Sequence, residues 1–185
     1  YQPKIDKILG KKLPPQNFIY EPSKKNTTMA ILLSLAHIQK IDPQAVVTTT
    51  PADHYIKKII NFKKNISDSQ KLAQDHHRLI TIGIKPTFAN TSYGYIIPRQ
   101  KNQPFSNVSL FIEKPDKETT QNLIKKGALW NSGIYTFTLT DMINEIEKLQ
   151  PEYFKLYQQL INSDLKPKIV TKIYSKSPDL PIDRS

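Results

Sequence analysis

Apolar positions recur along the chain with two alternating periods, one near 3.6 and one near 2. The longer period marks helices. Asn26 or Thr27 caps a segment whose apolar face is Met29, Leu32, Leu33 and Ala36, and which stops before Pro43. A second helix is predicted from Lys57 to His76, with Ile59, Phe62, Ile66 and Leu72 turned inward. A shorter one runs from Lys117 to Lys126, with Gly127 as the residue that ends it. Thr140 is read as the cap of a helix reaching Gln150, and Pro151 opens another at its first turn.

The shorter period marks strands at Asn17–Glu21, Ala45–Thr50, Tyr93–Pro98, Val108–Glu113, Leu129–Phe137 and Ile169–Tyr174. Leu79–Ile84 (LITIGI) is nearly all apolar, as a strand covered on both faces should be. Strands and helices interleave, so the fold class is α/β: a mixed, mostly parallel sheet with helices on both faces. In such sheets ligands sit at the carboxyl ends of the strands.

Composition narrows the picture. A length of 185 residues suits one domain or part of a larger one. The absence of Cys excludes disulfides, thiolate metal sites and a Cys nucleophile. With 27 Lys and Arg against 16 Asp and Glu the net charge is +11. Lys far outnumbers Arg, and the chain is also rich in Ile and Asn, so the excess reads as solvated surface rather than a nucleic-acid footprint. No apolar run approaches the roughly 20 residues of a membrane helix, and no leader pattern opens the chain.

Chemistry-bearing residues gather at strand ends. Asp53, in Pro51-Ala52-Asp53-His54, either caps the next turn or points a carboxylate toward a phosphate-bound cation. Glu113 and Lys114 precede Pro115. They are either a surface pair or an acceptor and a cation addressing one ligand. Asn131, Ser132 and Gly133 interrupt a strand after Trp130, as a bulge or a close approach to a ligand. Gly94 sits at the mouth of another strand. Glu21, Pro22, Lys25, Asn26 and Thr27 form a strand-to-helix turn, solvated or facing an anionic ligand. No G-x-G-x-x-G or Walker A loop, no metal-spaced His cluster and no Ser-His-Asp arrangement is present.

In order, the turns read EPxxxNT, PADH, TIGIKPT with T-x-YGYI, FIEKPD, WNSGIY and a final P-I-D. From about Glu21 to Asp183 this set resembles the sugar-nucleotide pyrophosphorylases, most closely the bacterial mannose-1-phosphate guanylyltransferases. The resemblance implies a Rossmann-like mixed sheet. It also implies nucleotidyl transfer: mannose 1-phosphate attacks the α-phosphorus of GTP, giving GDP-mannose and pyrophosphate, with Mg²⁺ as cofactor. On the matching positions, Asp53 and Asp183 would hold the metal. Glu113 would accept from sugar hydroxyls, and Lys114 would meet the phosphate. Gly94 and Asn131, with Ser132 and Gly133 beside them, would line the hexose pocket. Glu21, Pro22, Lys25, Asn26 and Thr27 would face the nucleotide. A cytoplasmic setting follows, and oligomer formation stays open. Two other readings are another sugar-1-phosphate nucleotidyltransferase and a non-catalytic homologue that binds sugar nucleotides.

Three departures stand out. Ser92 replaces a glycine of the family segment, Pro181 replaces a serine before Asp183, and Lys25 stands where an Arg is usual. The family's opening strand and G-G-x-G-T-R-L-x-P loop are not in the chain. Residues 1–185 are therefore expected to be a single partial nucleotidyltransferase domain, inactive by itself and poorly soluble or partly unfolded.

Overall fold

The computed structural model describes residues 2–10, 12–101 and 103–182. The chain forms two compact units, one made of residues 1–45 and 143–185, the other of residues 46–142.

The first unit is helical. It includes α1 (Gln2–Leu9), α2 (Asn26–Ile41), α6 (Pro151–Asn162) and α7 (Pro167–Lys176). In α2 the apolar face is broader than the pattern suggests: Met29, Leu32, Leu33 and Ala36 are buried, and so are Ile31 and Leu35. α2 packs on α6, and α6 on α7. Pro151 opens α6 at its first turn, as expected.

Two strands expected here are absent. Ile169–Tyr174 lies inside α7, where Val170, Ile173 and Tyr174 are buried. Apolar residues at 169, 170, 173 and 174 fit a helical stripe, and Pro167 supplies its first turn. Asn17–Glu21 joins no sheet. Pro15–Asn17 makes a single 3₁₀ turn, and the chain beyond it runs irregularly with Phe18 and Tyr20 stacked 6.2 Å apart.

The second unit holds a five-stranded sheet: β1 (Val46–Thr49), β2 (Ile80–Ile84), β3 (Tyr95–Pro98), β4 (Val108–Ile112) and β5 (Leu129–Thr138). Every described pairing is antiparallel, which corrects the expectation of a mostly parallel sheet. β5 is the reason. It pairs with β1 and with β2, so those two strands run alike without touching each other. It also meets β3 at Leu129 and Trp130, and β3 continues to β4. Interleaved helices indicate crossovers, but they do not reveal that a reversed strand sits between the strands they connect.

α3 (Ile59–His76) lies on β1, β2 and β5. Its inward face is Phe62, Ile66, Ser69, Leu72 and Ala73, whereas Ile59 is exposed. Ser69 bonds the Thr136 hydroxyl at 2.9 Å, which in turn meets the Thr48 hydroxyl at 3.0 Å. β2 is half-buried rather than covered on both faces. α4 (Lys117–Lys125) packs on β3 around Tyr95, Leu123 and Ala128. Asp116 caps it by accepting from Thr119 N–H at 2.8 Å. Gly127, at φ 84°, closes it, with Ala128 N–H donating to Leu123 O at 3.0 Å. α5 (Leu139–Leu149) follows β5 directly.

Candidate functional site

The residues expected to face the sugar come together in the second unit, around Gly94. A Cβ built on Gly94 would lie 2.5 Å from Glu113 Oε2, 3.4 Å from Asn131 Cβ and 3.4 Å from Phe111 Cζ. Hydrogen is therefore the only side chain that fits while Glu113 keeps its place. Asn131 is drawn to the same spot by its backbone N–H, which donates to Gly94 O at 2.8 Å. Glu113 is largely buried and Lys114 half-exposed, with Lys114 Nζ 3.4 Å from Glu113 Oε1. Lys114 adopts φ 48°, a left-handed conformation that costs a non-glycine residue about 1 kcal/mol or more. That turn lets two successive side chains of an extended segment serve one side of the sheet.

β5 is bulged at this place. Thr81 pairs with Tyr135 and Gly83 with Asn131, so two steps along β2 face four along β5. Gly133 takes φ 70° inside the bulge, and a Cβ there would sit 3.5 Å from Pro51 Cγ. Ser132 is buried, and its hydroxyl accepts from Ile134 N–H at 3.1 Å. That contact ties the hydroxyl to the backbone of the bulge. Gly133 thus adjoins the PADH segment, in which Asp53 occupies an exposed turn just beyond β1.

Two residues that the sequence reading passed over hold Asn131. Thr81 donates its hydroxyl to Asn131 Oδ1 at 2.9 Å, and Asn131 Nδ2 donates to the Tyr135 hydroxyl at 2.7 Å. A hydroxyl within the apolar run LITIGI is the signal that could have found Thr81. Trp130 anchors the neighbourhood. Its indole N–H donates to the Tyr95 hydroxyl at 2.9 Å, and Phe88 and Tyr93 approach it edge-on at 5.2 and 5.1 Å.

The residues expected to face the nucleotide lie in the first unit. There the structure shows them tied to the segment after α7. Lys25 Nζ donates to Ser177 O at 2.8 Å, Thr28 Oγ1 donates to Leu180 O at 2.7 Å, and Thr27 Oγ1 accepts from Ile182 N–H at 2.8 Å. Asn26 takes φ 58° and accepts from Thr27 N–H at 3.2 Å, and Pro22 is exposed. Glu21 accepts from the Tyr174 hydroxyl at 3.1 Å, and the same hydroxyl lies 3.0 Å from Met29 O. Desolvation holds the Glu21 carboxyl above its ordinary range, outweighing the hydrogen bond from Tyr174. Burial and the adjacent Glu21 push the Tyr174 phenol up. Asp183 lies outside the described residues. Among the described residues no group of three His, Cys, Asp or Glu is arranged to hold a metal, and no helix is long and apolar enough to cross a membrane.

The profile of the nucleotidyl transferase family matches residues 6–174, and the chain belongs to that family. Among its curated relatives, mannose-1-phosphate guanylyltransferase RfbM of Salmonella typhimurium is 36% identical over 173 residues, covering 87% of this chain and 34% of that protein. Mannose-1-phosphate guanylyltransferase 2 of Escherichia coli O157:H7 is 34% identical over 158 residues, covering 80% of this chain and 33% of that protein. The chain thus spans about a third of the length of these relatives. A solved structure of a mannose-1-phosphate geranyltransferase from Thermus thermophilus superposes with a TM-score of 0.83 over 98% of this chain and 58% of its own, at 21% identity, and shows the shared fold.

Proposed function

We propose that this chain contributes the sugar- and nucleotide-binding residues of a mannose-1-phosphate guanylyltransferase. In that reaction a phosphate oxygen of mannose 1-phosphate forms a bond to the α-phosphorus of GTP. The α–β phosphoanhydride bond breaks, pyrophosphate leaves, and GDP-mannose remains. The observation that carries the reading is the cluster of Gly94, Glu113 and Asn131 in a chain whose relatives bear that name. A carboxylate and an amide flanking a bare Cα suit a flat, hydroxyl-rich ring. Glu113 accepts from the hexose, and Lys114 meets its phosphate as a point charge.

No covalent intermediate is required, so the protein's work is positioning and charge neutralisation. The turn from Glu21 to Thr27 is assigned to the nucleotide. The exposed carboxylate of Asp53 is a hard oxygen donor of the kind Mg²⁺ accepts, and Asp183 is proposed as its partner. Mg²⁺, when bound, would offset the negative charge of the phosphates. The product serves polysaccharide assembly in this reading, in keeping with a further relative, the xanthan biosynthesis protein XanB of Xanthomonas campestris, 31% identical over 138 residues.

Turnover belongs to the whole protein, and sugar-phosphate binding can be read on this chain. Trp130, its lone tryptophan, adjoins Asn131 and reports occupancy by fluorescence. Mannose 1-phosphate is expected to give a saturable change, with glucose 1-phosphate at least about tenfold weaker, the discrimination of one well-placed hydrogen bond. No response to mannose 1-phosphate, or tighter binding of the glucose epimer, would overturn the assignment.

A further inference from the structure

The Asn131 side chain carries more information than its place beside Gly94. A carboxamide has one acceptor oxygen and two N–H donors, and which of them a ligand meets depends on how the group is turned. Here the protein sets the turn. Gly133 N–H points at Asn131 Oδ1 from 3.4 Å, and a backbone N–H can only donate, so the oxygen must occupy that side. Thr81 Oγ1 lies 2.9 Å from the same oxygen, nearer than the 3.3 Å to its other acceptor, Ile134 O. Oδ1 is therefore engaged twice from within the sheet. On the other side Nδ2 gives one hydrogen to the Tyr135 hydroxyl at 2.7 Å. The bulge makes this contact possible, since in a regular strand residues four apart stand too far from each other. One N–H remains. Asn131 is half-buried, and its Cβ and Glu113 Oε2 both border the space beside Gly94, 3.4 and 2.5 Å from a Cβ built there, so the two side chains flank one spot.

We infer that Thr81 and Tyr135 are positioning residues that make Asn131 a donor-only contact for the substrate sugar, set against the acceptor-only carboxylate of Glu113. The substrate class this pattern selects is a hexose phosphate with neighbouring oxygens of opposite duty, one hydroxyl giving its proton to Glu113 and one oxygen accepting from Asn131. The inference rests on the sugar-binding reading above and adds the polarity of the contact.

The test is a fluorescence titration of the chain with mannose 1-phosphate and with matched deoxy and deoxyfluoro analogues at each ring hydroxyl. Fluorine keeps an acceptor and carries no proton. At one ring position the fluoro analogue is expected to bind within about threefold of the parent, and the deoxy analogue at least about tenfold more weakly, the scale of one net hydrogen bond. Asn131→Ala should abolish that difference at that position alone. Asn131→Asp, which keeps the shape and removes the donor, should weaken the parent sugar by about tenfold or more. Thr81→Val should shrink the fluoro–deoxy difference, and Thr81→Ser, which restores the hydroxyl, should bring it back.

Equal binding of fluoro and deoxy analogues at every position would overturn the inference. So would an Asn131→Asp variant that binds as well as the wild type, or a Thr81→Val variant with unchanged constants. Failure of the wild type to bind mannose 1-phosphate at all is a separate result and strikes the functional reading itself.

Discussion

The absence of a single atom decides the geometry at Gly94. Its Cα leaves room for the Glu113 carboxyl, which a methyl group would contact at 2.5 Å. Gly94→Ala displaces the end of a flexible side chain rather than backbone. Its stability cost is expected to stay near about 1 kcal/mol, at the low end for added bulk in a packed site. The effect on function should be larger. With Glu113 pushed aside, affinity for mannose 1-phosphate should fall by about tenfold or more, the loss of one charged hydrogen bond. A melting curve paired with a sugar titration separates the two effects. A variant that melts normally and binds normally would show that Glu113 does not depend on this space. Gly94 was legible in the sequence as a glycine at a strand mouth. The identity of the atom that needs the space was not, because Glu113 is 19 residues away along the chain.

Among the elements, helix ends were read well where the signal is local and less well where two signals compete. Asp116 and Gly127 bracket α4 as their residue types demand. At α5 the cap expected at Thr140 is corrected, because α5 begins at Leu139 and Thr140 lies inside its first turn. The structure chooses Thr138, whose hydroxyl accepts from Asp141 N–H at 3.0 Å and donates to Asp141 Oδ2 at 2.5 Å. The cap must stand three residues before the acid it pairs with, and only Thr138 does. Thr138→Ala is therefore expected to lower stability by about 1 kcal/mol. Thr140→Ala, at an exposed position, should change it by less than about 0.5 kcal/mol. Thermal melts of the two variants side by side check the assignment, and the reverse order would refute it. α7 carries the same lesson at greater cost. Its Ile and Val residues favour strands, yet their spacing favours a helix, and burial of Val170, Ile173 and Tyr174 settles the matter.

For the molecule as a whole, proton linkage gives folding a directional dependence on pH. Glu21 has a folded pKa raised above 4.5, so the folded chain holds that proton to a higher pH than the unfolded chain. Stability from this group is present below 4.5 and is lost as pH rises through the folded value. Glu21→Gln keeps an oxygen for the Tyr174 hydroxyl and removes the titration. Its melting temperature should match the wild type near pH 4 and equal or exceed it at pH 7, and a marked loss at pH 7 would contradict the sign. Asp116 works the other way. Hydrogen bonds from Thr119 hold it below 3.8, so its contribution is lost as pH falls through that range.

The sequence by itself determined the interleaved α/β class, most helix and strand positions, the family, and which residues deserved attention, because those depend on residue type, spacing and order. Only the tertiary structure decided that β5 runs against both its flanking strands, that α7 is a helix, and that Thr81 and Tyr135 turn the Asn131 amide. Each of these rests on contacts between residues distant in the chain, or on burial against them, and no local pattern records which distant partner a side chain will meet.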